Sequence, residues 1–336
     1  MTSKQGEGLG EGWLQEDVMS DWDVPEYLLR LAAQAARPEL RPEGLLERFG
    51  APEQVEVEVG QVWRARWDAA VVLVLILGVD GREVSAVPVT LDPPAENAFC
   101  LIVGRHRSVF GVDATVWGDL KRAVPLRVLD QVLDTWDAEV VGWARSRVQG
   151  LLDDPPAATR LGREPSSVFD DATALRAELE DELTELCEAP RLVCEDEGMP
   201  GGAGLAKLLG STLDLAHLTS VLERPQSTVM AILRGKEPLE LRDIVRIAEA
   251  TGLPQEQVAG SVKPLPRSLV DALEHPRWRP AMRSLAQQSA VDEMQARLRA
   301  GYGTFALAAR ETGGGSPDWD ARLKQFLAGQ DLGGAG

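Results

Sequence analysis

The hydrophobic side chains between residues 55 and 103 follow the two-residue period of β-strands. Trp63, Ala65 and Trp67 alternate with arginines, so they would share one face of a strand. The aliphatic run at 71–77 has the length of a strand and is typical of one buried on both faces. Together these features predict a small antiparallel barrel or sandwich. The predicted strands are 55–59, 61–68, 71–77, 84–90 and 99–103, with Asp80-Gly81 as the hairpin turn between the third and the fourth.

Beyond residue 125 the apolar positions recur at helical spacing instead. Pro125 is expected to open a helix that runs from 126 to about 148. In the segment 170–188, four leucines mark one stripe of a helix whose other faces are almost entirely Asp and Glu. After Gly204 the chain is expected to be helical nearly to its end, apart from a Gly-Ser-Pro breaker run.

These patterns, separated by stretches rich in proline and glycine, predict an α+β chain of five parts. The first part is expected to contain two short helices, at 24–36 and 42–49. The parts are an N-terminal acidic helical arm (1–50), the barrel with a helical appendix (51–150), an acidic linker helix (151–203), a bundle of four short helices (204–262) and a C-terminal helical bundle (263–330).

The net charge of the chain is −18, but it is not evenly spread. Residues 151–203 contain 14 acidic and 4 basic side chains, so more than half of the excess lies there. Residues 204–336 contain 16 basic and 15 acidic side chains and are nearly neutral. Binding to nucleic acid without sequence preference, or to an anionic membrane, needs a basic surface, so the overall charge excludes those classes. The neutral C-terminal part can still lie close to a polyanion.

The sequence lacks the features of secreted, membrane-spanning and metal-dependent proteins. The most apolar run, 69–78, has about half the length of a membrane span, and the first thirty residues contain no apolar stretch of signal-peptide type. The three cysteines, Cys100, Cys187 and Cys194, are too few for a disulfide framework and have no zinc-site spacing. No phosphate-binding glycine loop occurs. We therefore expect a cytoplasmic protein with free thiols and no metal, cofactor or membrane partner.

The most specific signal in the chain lies in residues 205–253. Asp214 is a suitable N-cap for the second helix of this segment. Pro225 forces a turn after that helix, because the residue before a proline is disfavoured in helical conformation. A third helix is expected to begin at Gln226 and to end at Gly235 in the left-handed conformation. A fourth helix follows and closes with the motif I-A-x-A-x-G.

This segment resembles the helix-turn-helix domain of the Cro/repressor (XRE) family over residues 204–260, in the stretch LDLAHLTSVLERPQSTVMAILRGKEPLELRDIVRIAEATGL. Two positions depart from the family pattern: Thr219 replaces a small alanine, and Glu223 stands where glycine commonly makes the turn. The resemblance implies that the third helix enters the major groove of double-stranded DNA. It implies base-edge contacts by Gln226, Ser227 and Met230, and phosphate contacts by Arg234 and Lys236.

The local charge leaves a second interpretation open. Residues 204–260 contain six basic and seven acidic side chains, so the segment has no basic stripe. A structural or protein-binding bundle is therefore an alternative to a DNA-binding one. If the bundle binds DNA, we expect the binding to be weak, salt-sensitive and strengthened by formation of a homodimer.

The barrel segment, 54–135, resembles the small SH3-like barrels of the MazF/PemK toxins, which cleave RNA. Shared features are a Gly-x-Val-Trp opening strand, a V-L-V-L second strand and a third strand ending Val-Pro-Val-Thr; VWGDLKRAVPLRVLDQVLDTW resembles the closing strand and helix. In that family an arginine in the loop between the first two strands stabilises the attacked phosphate, assisted by a hydroxyl after the third. Here the loop is Asp68-Ala69-Ala70, without arginine, although Thr90 matches the hydroxyl. A hydroxyl without its cation does not stabilise the transition state, so the resemblance implies a barrel that has lost catalysis.

Two arginines on the first strand, Arg64 and Arg66, are the remaining catalytic candidates beside Thr90. We expect them instead to be solvated or paired with Glu56 and Glu58 on the neighbouring strand. The tryptophans of the same strand are expected to belong to the core rather than to stack on bases.

The acidic helix also has two interpretations. It docks its leucine stripe on a neighbouring part of the chain, or it acts as a nucleic-acid mimic, an autoinhibitory segment or a contact for a protein partner. Three functions therefore remain open: an XRE-type transcription regulator with an inactive MazF-like barrel, a MazF-like RNA endoribonuclease toxin, and a protein-interaction component of a toxin–antitoxin or phage-defence system.

Overall fold

The computed structural model describes residues 40–91, 95–148, 154–165, 167, 170–192, 194, 204–210, 214–234, 237, 239–254, 258, 261, 265–308 and 317–333. Within these residues the protein is α+β, with one eight-stranded antiparallel sheet and eleven α-helices. The helix expected at 24–36 lies outside the described residues. The helix expected at 42–49 is confirmed, and Pro42 at its first position suits a helix start.

The sheet is formed by strands that are mostly separated by short turns. The strands are β1 (Gln61–Trp67), β2 (Ala70–Asp80), β3 (Glu83–Thr90), β4 (Cys100–Val103), β5 (Ala114–Trp117), β6 (Arg122–Pro125), β7 (Leu129–Thr135) and β8 (Thr159–Leu161). They pair in the order β7-β1-β2-β3-β5-β4-β8, and β6 pairs with the first half of β3. The predicted hairpin at Asp80-Gly81 is confirmed, with Gly81 at φ +57°.

The helices lie on both faces of the sheet and in the C-terminal half of the chain. They are α1 (Pro42–Phe49), α2 (Ala138–Val148), α3 (Asp171–Cys187), α4 (Leu205–Leu209), α5 (Leu215–Leu222), α6 (Gln226–Leu233), α7 (Leu241–Thr251), α8 (Arg267–Glu274), α9 (Arg279–Ser289), α10 (Glu293–Ala308) and α11 (Trp319–Gly333). Three 3₁₀ turns, Pro52–Gln54, Leu126–Val128 and Pro276–Trp278, join elements.

Two predicted elements are wrong. Residues 55–58 form no strand, although Val55 is buried against the sheet. The helix expected from 126 to 148 is a 3₁₀ turn, then β7, and becomes helical only at Ala138. β7 pairs with β1 through two register shifts, so Asp130 and Leu133 are extra residues on β7. Each bulge adds one residue between successive buried positions of the strand. Buried positions then recur every two or three residues, a spacing that resembles that of a helix.

The two faces of the sheet are covered by different helices. On one face, Trp63, Val74 and Ile76 belong to a core that also contains Leu183 and Leu186 of α3. On the other face, the core includes apolar residues of α2, namely Val140, Val141, Trp143 and Ala144. The leucine stripe of the acidic helix is therefore part of the sheet's core, as the docking interpretation expected. Each fully buried leucine contributes roughly 2 kcal/mol of transfer free energy.

The remaining helices form two further cores. The first joins α4 to α7 and is centred on Leu218, Leu222, Val229, Ile232 and Ile247. The second joins α8 to α11 and includes Leu192 and Cys194 from the segment that follows α3. The helices α4–α7 and α8–α11 therefore have separate hydrophobic cores.

Candidate nucleic-acid interface

A tight turn between α5 and α6 positions the candidate recognition helix. Asp214 caps α5 as predicted, and its carboxylate accepts a hydrogen bond from the amide of His217 at 2.6 Å. α5 ends at Leu222, and the next residue, Glu223, adopts the left-handed conformation at φ +54°. That conformation costs a non-glycine residue roughly 1 kcal/mol. Arg246 stabilises the turn, because it donates to the carbonyl of Leu222 at 3.3 Å and to the carboxylate of Glu223 at 3.0 Å.

Helix α6 presents the predicted base-contacting residues on its outer face. Val229 and Ile232 are buried, whereas Gln226 and Ser227 are exposed and Met230 is half-buried. At 100° per residue these last three side chains fall within an arc of roughly 100°, away from the buried pair. Arg234 follows Met230 by one turn and is exposed. Lys236 and the expected cap Gly235 lie outside the described residues.

Most of the basic side chains near α6 are engaged with carboxylates. Glu240 at the start of α7 forms ion pairs with Arg224 and Arg242, each at 2.7 Å, and with Arg299 of α10 at 3.2 Å. Arg224 also contacts Asp243 at 2.9 Å. Within the described residues no ion pair involves Arg234. Arg234 is therefore the better placed cation for a phosphate contact.

The two buried carboxylates of this network differ in their protonation equilibria. Burial opposes the charge of Glu240, but its hydrogen bond with Arg224 and the charges of Arg224 and Arg242 outweigh burial, so its pKa is lowered. Burial prevails at Asp243 despite the charge of Arg224, so the pKa of Asp243 is raised. Arg224 remains charged, because its carboxylate partners outweigh its burial and raise its pKa. Glu240 is therefore the anionic centre that connects the turn between α5 and α6 with α7 and α10.

The structure does not bring Thr90 together with Arg64, the paired arginine of the first strand. Arg64 pairs with Leu73 of β2, and Leu73 pairs with Val89 of β3. Directly paired residues project to the same side of a sheet, so Arg64 shares a face with Val89 and Thr90 projects to the opposite one. The hydroxyl of Thr90 accepts a hydrogen bond from the indole nitrogen of Trp117 at 3.1 Å.

The expectation that the arginines of β1 are solvated or paired with Glu56 and Glu58 is wrong for Arg64. Arg64 donates from Nε and Nη2 to Oδ2 of Asp130, at 2.9 and 2.6 Å, because the bulge in β7 places Asp130 beside β1. Glu56, its expected partner, instead contacts His275 and Arg277 of the C-terminal bundle. Arg66 is exposed.

The tryptophans of the first strand are placed largely as expected. Trp63 is buried in the sheet's core. Trp67 is half-buried, and the guanidinium of Arg127 lies 4.9 Å from its ring centroid.

Carboxylates of the acidic helix occupy backbone donors at the β1–β2 turn. The amides of Ala69 and Ala70 donate to Oε1 of Glu185 at 3.1 and 3.2 Å, and Glu182 accepts from the amide of Val71. This turn is where the toxin-like resemblance places a catalytic arginine. Here it holds no arginine, and its backbone donors are already satisfied from within the chain.

Comparisons with known proteins identify no family for this chain, since neither a protein-family model nor a curated protein matches it. Among the described residues, no three or more His, Cys, Asp or Glu side chains form a group able to hold a metal ion. None of the helices in the described part of the chain is both long and apolar enough to cross a membrane. The three cysteines are free, with Cys100 and Cys194 buried.

Proposed function

We propose that this protein is a DNA-binding transcription regulator in which α4 to α7 act as an XRE-type helix-turn-helix and α6 enters the major groove. The outer face of α6 carries the proposal. Gln226, Ser227 and Met230 are accessible on it while the opposite face is packed, and the turn that precedes α6 is held by Arg246. An amide and a hydroxyl are suited to base edges, and the methionine to apolar contact with a thymine methyl group.

The electrostatics support selective rather than general DNA binding. Arg224, Arg242 and Arg246 are neutralised by carboxylates, so we assign the phosphate contacts to Arg234, together with Lys236 from the sequence. Two phosphate contacts per protomer correspond to about two released counterions, a small salt dependence beside that of strong repressors. We therefore propose a cytoplasmic homodimer that reads two half-sites about one helical turn apart.

We assign the sheet a scaffold or dimerisation role. Strands β7-β1-β2-β3-β6 form one paired row, and its two ends are joined by the 3₁₀ turn Leu126–Val128. A connection of three residues spans roughly 11 Å at most. The first and last strands of a five-stranded row can be that close to each other only if the row curls. This supports an SH3-like barrel. The separation of Arg64 from Thr90 supports a barrel without nuclease activity.

The decisive experiment is selection of bound DNA from a random pool by the full chain, followed by binding measurements on the selected sequence. Gln226→Ala should weaken binding about tenfold and relax the preference at one position, because one bidentate base contact is lost. Arg234→Ala should weaken binding to all sequences alike and lower the salt slope by about one.

Two matched substitutions control for non-specific effects. Gln288→Ala removes an exposed glutamine from α9, and Arg105→Ala removes an exposed arginine from the loop between β4 and β5. Neither should change DNA affinity. The proposal is refuted if no sequence is enriched, or if Gln226→Ala binds the selected sequence as well as the unmodified protein does at about 50 mM salt, where phosphate contacts are strong.

A protein-interaction role is the second candidate, and the neutralised arginines favour it. It also has a surface in α3, whose solvent face is acidic while its leucines are buried in the sheet. This candidate predicts that no DNA sequence is enriched from the pool and that a basic protein partner binds the acidic face. Glu178→Lys together with Asp181→Lys would then abolish partner binding.

A further inference from the structure

A cleft of about 440 Å³ lies where α1, the β1–β7 edge and the start of the C-terminal bundle meet. Its volume falls within the roughly 300–1,000 Å³ of small-molecule sites. Leu45, Leu46, Phe49, Trp63 and several prolines make most of its wall apolar. Leu46 is 53% exposed, so its side chain is accessible to a molecule in the cleft.

One wall of this cleft carries two guanidinium groups that share a single carboxylate. Asp130 accepts from Arg64 at Oδ2 and from Nη1 of Arg283 at Oδ1, 3.0 Å away. The Asp130 side chain is 10% exposed, so its charge is largely used by these two partners. Within the described residues no hydrogen bond or ion pair occupies Nη1 of Arg64 or Nη2 of Arg283. The three side chains together carry one positive charge.

The residues behind this wall add to the positive charge. Glu293 contacts Arg283 at 3.5 Å, Arg279 at 3.4 Å and Arg297 at 2.9 Å, so one carboxylate serves three arginines. Arg279 is buried, and burial lowers its pKa to about 10 despite Glu293. An anion near this wall would therefore meet uncompensated guanidinium charge.

The other arginine of the cleft is differently placed. Arg277 contacts Glu56 and lies 3.8 Å from Asp320, so two carboxylates offset its charge. Its Nε donates to Nδ1 of His275 at 3.0 Å. The wall with Arg64 and Arg283 is consequently the place for an anionic group, and the apolar wall is the place for a hydrophobic body.

We propose that this cleft binds a small amphiphilic anion, with a carboxylate or sulfonate between Arg64 and Arg283 and an aromatic or aliphatic body against Trp63, Phe49 and Leu46. The site does not depend on DNA binding by α6. Hydrogen bonds from the two guanidinium groups to the anion fix the position of the ligand and give specificity. Burial of the hydrophobic body against the apolar wall contributes most of the affinity.

The test uses 8-anilinonaphthalene-1-sulfonate as the probe, with fluorescence titration and calorimetry on the full chain. The neutral analogue N-phenyl-1-naphthylamine is measured alongside it. We expect one saturable site for the sulfonate. Leu46→Glu should weaken sulfonate binding at least tenfold, because it places a carboxylate in the apolar wall. Val79→Glu, at a valine that is 45% exposed outside the cleft, should leave binding unchanged.

The cation is tested separately from the apolar wall. Arg64→Gln should weaken the sulfonate about tenfold, the cost of one charge-assisted hydrogen bond, and leave the neutral analogue unaffected. Arg283→Gln is the second variant, should Arg64→Gln fail to fold by circular dichroism. Equal affinity of Leu46→Glu and the unmodified protein would overturn the site. Equal effects of the arginine variants on both probes would overturn the assignment of the anionic group.

Discussion

Replacement of Leu183 by alanine tests whether the acidic helix α3 is an integral part of the sheet or a removable cover. Leu183 is completely buried and shares a core with Trp63, Val74 and Ile76 of the sheet. An autoinhibitory segment must leave its site without unfolding the rest of the protein. A helix whose leucines complete the core cannot do so.

The expected cost follows from the burial of this side chain. Truncation of a fully buried leucine to alanine removes transfer free energy and leaves a cavity, together about 3 kcal/mol. For a cooperative unit of 150–250 residues, each kcal/mol lowers Tm by about 2–4 °C, so we expect a decrease of roughly 6–12 °C. Asp181→Ala is the matched control, because Asp181 is exposed on the same helix, and its effect should stay within about 0.5 kcal/mol.

Hydrogen–deuterium exchange of the sheet peptides is the most direct assay. In Leu183→Ala, amides of β1 and β2 should exchange faster together with those of α3, since they share one core. The reasoning is refuted if β1 and β2 keep the protection of the unmodified protein while only α3 exchanges faster. An accompanying increase in nucleic-acid affinity by fluorescence anisotropy would then favour the autoinhibitory interpretation.

Three further predictions follow from the contacts of single residues. The pKa of Glu182 is raised by burial and by Glu178, so the folded state disfavours its ionised form and loses stability as pH rises through that pKa. Glu182→Gln should therefore raise the free energy of unfolding at pH 7 by about 0.3–0.5 kcal/mol and should give no gain below about pH 4. Thermal denaturation scans at both pH values measure this, and a gain that persists in acid would contradict the prediction. Asp243→Ala should destabilise the α4–α7 bundle by about 3 kcal/mol, because it removes both the charge and the hydrogen-bond acceptor that Arg224 contacts. Asp243→Asn keeps an acceptor oxygen and should cost clearly less. Exchange protection of α6 measures both, and equal effects would show that loss of the charge alone accounts for the destabilisation. Incubation with a mixed-sequence RNA should give no cleavage beyond that of the Thr90→Ala variant, and cleavage abolished by that substitution would restore the nuclease hypothesis.

Several local patterns that specify a single element were interpreted correctly from the sequence. The alternation in β1, the aliphatic run of β2 and the hairpin at Gly81 are all present in the sheet. In the C-terminal half, the cap at Asp214 and the turn before Gln226 delimit α5 and α6 as predicted. Burial of one face and termination of a helix depend on neighbours within one or two turns, so the local sequence reports them directly.

The candidate sites depended on contacts between distant parts of the chain. The bulges of β7 gave it the spacing of a helix and moved Asp130 next to Arg64, 66 residues earlier in the chain. The face on which Thr90 lies follows from the register across three strands, and the cleft requires α1, β1 and Arg283 together. The sequence by itself determined which segments are strands, helices and turns across most of the chain, and which of them bear charge. Only the tertiary structure decided which charges meet, because ion pairs and register are formed between elements and leave no period in the sequence of either one.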